Sequence, residues 1–162
     1  MDQSQINSIN SSISSYNRAA SSYDSTAAEA QKAINDLDGQ IAHKREQLRI
    51  ATQEVQPKFQ PLSQAKTDLD TQLGTMADQL NTAMVGDDGA RGQIKNLDST
   101  FDGHISDASQ ALAQLIANLQ KEIQDLVDEF NRQVTIRDNA RASAASCRSS
   151  AASLSRQLAN AS

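Results

Sequence analysis

Tryptophan is absent from the 162 residues, and three Phe and two Tyr are the whole aromatic complement. A globular core of this size normally uses large aromatic anchors, so Ala, Ile and Leu must fill the interior. Two prolines and six glycines leave few places where the chain can turn. The lone cysteine, Cys147, excludes an internal disulfide framework and a Cys-rich zinc site. No apolar run approaches the roughly 20 residues of a membrane span, so no integral membrane segment is expected. Basic residues are outnumbered 15 to 20, and a net charge of −5 gives no attraction toward nucleic acid. The opening MDQSQINSIN has neither a basic n-region nor an apolar h-region. It predicts a cytoplasmic chain, with export independent of a classical signal peptide left open.

What the sequence does have is periodicity. Ile6, Ile9, Ile13, Tyr16, Ala20, Tyr23, Ala27, Ala30, Ile34, Leu37, Ile41, Leu48, Ala51 and Val55 recur in steps of three and four. Lys44 occupies one position of the same seam. A seven-residue repeat over about fifty residues keeps one stripe turned toward a partner helix. The fold class is therefore all-α. Many seam residues are Ala, which permits close approach but buries little area, so this half needs a second helix.

Pro57 and Pro61 lack amide donors and crowd the preceding turn. They predict that the first helix, about 4–55, ends and that a second begins at Pro61. The second helix, about 61–85, carries Leu62, Leu69, Leu73, Met76, Leu80 and Met84. Gly86, Gly89 and Gly92 then predict a turn over 86–92. A third helix, about 94–160 with a candidate break near 103, carries Ile105, Ala108, Leu112, Leu115, Leu119, Ile123, Leu126, Phe130 and Val134. The spacing after Leu115 approaches an eleven-residue period. Seven-residue spacing returns from Ile136 through Cys147, read as a buried small thiol, to Leu158. Ser- and Ala-rich ends suggest that the first and third helices run antiparallel, with Ala20–Ala30 facing Ala140–Ala151. The expectation is an elongated module, 1–162, built as an antiparallel helical hairpin or a three-helix coiled-coil bundle in which the second helix covers the middle.

Charge is segregated. Residues 98–129 hold seven acids against Lys121, and residues 131–162 hold five arginines against Asp138. A solvated helix face explains this; the alternative is a basic end that docks an acidic partner or a neighbouring copy.

No catalytic constellation emerges, and the chain reads as a non-enzyme without a cofactor. His43 and His104 have no companion at metal-ligand spacing. Asp36 with Asp38, and Asp68 with Asp70, are two apart and lie on different sides of a helix. The stretch GDDGARGQ at 86–93 lacks the lysine and hydroxyl of a phosphate loop and the alternating ligands and distal Glu of a calcium loop.

The heptad over 6–55, the turn MVGDDG at 84–89 and the helix from about 105 resemble the helical hairpins of WXG-type proteins of type VII secretion. They also resemble the small accessory proteins encoded beside LXG toxins. The chain departs from that pattern at the Trp-x-Gly position, where Met84-Val85-Gly86 stands. It departs again at the export signal: Tyr16, Tyr23, Phe101 and Phe130 are followed four residues on by Ala20, Ala27, Ile105 and Val134. The resemblance implies an adaptor or chaperone that pairs with the helices of a secreted toxin. On the residues alone the partner is another helical protein or the chain itself, and the alternative is a self-assembling structural coiled coil. The candidate pairing residues are Ile6, Ile9, Ile13, Tyr16, Tyr23, Ile34, Leu37, Ile41, Leu112, Leu115, Leu119, Ile123, Leu126 and Phe130.

Overall fold

A computed structural model describes residues 2–83 and 88–160; the side chains of 77, 80–83, 88–91, 93–95, 97 and 98 lie outside the described set. Among the described residues the chain is helical and no strand occurs. The elements are α1 (Gln3–Arg49), a π-helical segment (Ile50–Val55), α2 (Gln56–Ala83) and α3 (Asp88–Asn160). α1 opens on a reciprocal cap. The Gln5 amide donates to Asp2 Oδ1 at 2.8 Å, and the Asp2 amide donates to Gln5 Oε1 at 3.1 Å, which satisfies two of the donors a helix start leaves bare.

The helix expected to stop before Pro61 does not stop. α1 passes through the π segment into α2, with Pro61 inside α2. Two features make this tolerable. Proline removes one helical hydrogen bond and pushes its ring at the carbonyl four residues back. For Pro57 that carbonyl belongs to Gln53, and for Pro61 it belongs to Pro57. All three residues are exposed, so water can serve the carbonyls. The π turn before them is also wider, with the Gln56 amide donating to the carbonyl of Ala51, five residues back.

The turn expected over 86–92 does not extend over 88–92, which are helical. Gly89 and Gly92 lie inside α3, and Gly103 does not break it. A Cβ at Gly92 or Gly103 would meet nothing within 4 Å, so neither glycine is required by a close approach. A helix tolerates such glycines at a cost of about 1 kcal/mol each. Gly86 lies outside the described residues.

The chain divides into two compact units, Met1–Ala42 with Gln124–Ser162, and His43–Ile123. The first unit pairs α1 with α3. Its buried residues are Ala20, Ala27, Ala30, Ile34 and Ile41 on one helix and Ala140, Ala144 and Ala151 on the other. Arg148 pairs with Asp24, and Arg137 Nη1 donates to Gln31 Oε1 at 3.1 Å. As the α1 partner moves up from 24 to 31, the α3 partner moves down from 148 to 137, so the two run antiparallel. The alanine-to-alanine facing read from the sequence is present. Within this unit the packing is pairwise, α1 with α3, and α2 belongs to the second unit.

The seam of α3 keeps seven-residue spacing without the expected eleven-residue interlude. Leu112, Ile116, Leu119, Ile123, Leu126, Phe130, Gln133, Arg137, Ala140, Ala144, Cys147, Ala151, Leu154 and Leu158 are all buried or half-buried. Polar Gln133 and Arg137 hold two of its positions, which hid the repeat. On the surface of the same helix, Arg132 grips Glu129 through Nε and Nη2, both at 2.7 Å. That fork, helped by Gln133, holds the Glu129 carboxyl down to about 2.

Ile34→Ala should destabilise the first unit by roughly 2–3 kcal/mol, the lower part of the range for such truncations because solvent is near. Ala144→Leu should cost about 1–3 kcal/mol by overpacking a helix contact only 1% exposed. Urea unfolding followed by far-ultraviolet dichroism checks both. The pH sign for Glu129 follows from its lowered value. Its contribution is complete above the ordinary carboxylate range and is lost as pH falls toward about 2. The difference in thermal midpoint between the native chain and Glu129→Gln should shrink across that window.

Candidate docking groove

The second unit holds the most exposed apolar surface. Up to the first turn of the π segment, its seam residues are Lys44, Leu48 and Ala51, half-buried or buried. After it, the half-buried residues of α2 among those described are Phe59, Lys66, Asp70 and Leu73. From Ala51 to Phe59 is eight residues, one more than the repeat. A π turn absorbs that residue and changes the phase of everything after it. The sequence itself does not shift. Val55, Leu62, Leu69 and Met76 continue the spacing of seven from Leu48. They are consequently turned off the seam and stand 37%, 42%, 45% and 53% exposed.

α3 presents a matching row. Leu115 and Phe101 are exposed, with Ala108 between them in the same seven-residue row. Leu115 was expected in the seam, but Ile116 occupies it. Val55 and Leu115 line one groove together with Ile50, Ala51, Leu112 and Leu119. Its volume is about 450 Å³. The two rows meet in this groove at Val55 and Leu115.

Two ionic contacts tie the pair together under this face. Lys44 Nζ lies 2.7 Å from Glu122 Oε2 at the groove wall. Lys66 Nζ lies 2.7 Å from Asp102 Oδ1 and also pairs with Asp70. Hydrogen bonds to Asp102 and then Asp70 hold the Lys66 ammonium above the usual lysine range. As the lysine partner moves from 44 to 66, the α3 partner falls from 122 to 102, so α2 and α3 are antiparallel. The segregated charges of α3 thus serve in part as cross-helix partners: acids for Lys44 and Lys66, arginines for Asp24 and Gln31. Sequence reading noticed Lys44 on the seam but had no signal for its partner.

The remaining candidate residues divide by unit. Ile6, Ile9, Ile13 and Leu37 are half-buried, and Ile34 and Ile41 are buried, within the first unit. Leu126 and Phe130 are half-buried across from them, with Cys147 further along α3. Tyr16 and Tyr23 are exposed instead of seated: rings that large do not fit between helices meeting at Ala20, Ala27, Ala144 and Ala151. Leu112, Leu119 and Ile123 belong to the second unit, half-buried, buried and half-buried respectively.

Among the described residues no group of three His, Cys, Asp or Glu is placed to hold a metal ion. Among the same residues, no helix is long and apolar enough to cross a membrane. A small-molecule site would combine an apolar wall with convergent polar groups. Here Lys44 and Glu122 are turned on each other, and Leu115 and Ile50 open the groove to solvent. No family model, curated protein or solved structure matches this chain.

Lys66→Met should remove the cation that Asp70 and Asp102 share and loosen the α2–α3 pairing. Amide exchange should speed several-fold in α2 and little in residues 3–42, a contrast that site-resolved hydrogen exchange measures.

Proposed function

We propose that the chain is a non-enzymatic helical binding protein, an adaptor or chaperone that pairs its second unit with an amphipathic helix. The observation that supports this is the row Val55–Leu62–Leu69–Met76. Four large apolar residues repeat at seven and stand about half exposed, and the first of them shares a groove with Leu115. Such a row costs solubility unless something covers it, and a helix with the same repeat is the shape that fits. The first unit has spent its own stripe on internal packing. Ile6, Ile9, Ile13, Ile34, Leu37 and Ile41 therefore act in folding, and the binding role is placed on 55–76 and 101–115.

The resemblance to accessory proteins of type VII secretion narrows the proposed partner to the helices of a secreted toxin. A structural filament is the alternative. A filament needs two different complementary faces, and the described residues offer one apolar face of this kind, so the binding reading is preferred.

A labelled 28-residue amphipathic helix with leucine at seven-residue spacing is a suitable probe. The native chain should bind it saturably, with fluorescence anisotropy as readout. Leu62→Asp/Leu69→Asp should weaken binding by at least tenfold while leaving helicity intact. Equal binding by both proteins, or none by the native chain, would overturn the proposal.

A further inference from the structure

We propose that a second copy of this chain covers the apolar face of the second unit when no other helix does, forming a two-fold dimer. The inference rests on the docking reading above and names the occupant. Three properties of the face select a second copy.

The first is charge. Two copies of net charge −5 repel at long range, and a face without charge of its own adds nothing to that repulsion. The rows Val55, Leu62, Leu69, Met76 and Phe101, Ala108, Leu115 carry no ionisable group. Lys44 with Glu122, and Lys66 with Asp70 and Asp102, are paired within the unit.

The second is repeat and length. The row from 55 to 76 spans roughly 30 Å of helix at 1.5 Å per residue. A surface of the same period and length is the counterpart it needs, and a two-fold axis presents each copy with that surface. Four helices then enclose one core, the usual way for antiparallel helix pairs to bury a second stripe.

The third is area. The four row residues with Ile50, Leu115 and Phe101 are each a little under or about half exposed. At about 80 Å² apiece they uncover on the order of 550 Å² of apolar surface. Homodimer interfaces are about 65% apolar, so the full face comes to roughly 850 Å². A stable association buries about 800 Å² per partner.

Sedimentation velocity on the full chain tests this. The native protein should sediment as a dimer of 17.5 kDa chains at about 100 µM and dissociate on dilution. Leu62→Asp/Leu69→Asp should sediment as a monomer with unchanged far-ultraviolet dichroism. If that variant loses helicity, Leu62→Ala/Leu69→Ala decides, with a dimer dissociation constant expected to rise at least tenfold. Adding the leucine-repeat helix should convert native dimers to complexes of one chain with one helix. A native monomer at every concentration that still binds the helix would sink the second-copy proposal and leave the docking reading intact. A monomer that binds no helix would sink both. A dimer that persists in a folded Leu62→Asp/Leu69→Asp variant would place the contact elsewhere and also overturn the proposal.

Discussion

An α-helix with one apolar stripe has little stability in water until another surface covers the stripe. The whole architecture answers to that constraint. In the first unit the covering surface is α3, and the contact is made largely by alanines: Ala20, Ala27 and Ala30 against Ala140, Ala144 and Ala151. Small side chains give little burial each, but they lose almost no rotamer entropy on packing. The arrangement suits a chain rich in Ala and Ser, and it leaves no room for the rings of Tyr16 and Tyr23. Polar contacts such as Arg137 to Gln31 then select the register that an alanine seam alone would specify poorly.

In the second unit the same constraint is met only in part. The π segment at Ile50–Val55 changes the helix phase by one residue. The apolar repeat of the sequence runs on regardless, and the two part company. The seam passes to Phe59, Lys66, Asp70 and Leu73, a mixed set held by a lysine between two aspartates. The stronger apolar row is left outside. Packing in this unit is consequently weaker where the available apolar surface is greater.

Much of this was legible in the residues. The heptad from Ile6 to Val55 placed Ala20, Ala27, Ala30, Ile34 and Ile41 correctly, and the Ser- and Ala-rich ends indicated antiparallel pairing. Three features escaped for physical reasons. The prolines suggested a helix end because a single chain shows where a donor is missing but not whether water can replace it. Gln133 and Arg137 broke the apparent repeat of α3, because a polar residue on a seam looks like a gap until its partner is seen. The π turn left no trace, since its effect is a change of phase and the row from Ile6 to Met76 keeps strict sevens straight through it. The row Val55, Leu62, Leu69 and Met76 was therefore visible as an apolar face, but not as an exposed one. No signal in the sequence separated it from core.

The phase change also divides the molecule's freedom to vary. Residues that hold the helices together after the π turn and residues that face outward lie in different rows of the same helix. Val55, Leu62, Leu69 and Met76 can drift to other apolar or polar identities without disturbing Phe59, Lys66 or Leu73. A descendant of this chain could thus acquire a new binding preference through a few substitutions at seven-residue intervals while inheriting its fold unchanged.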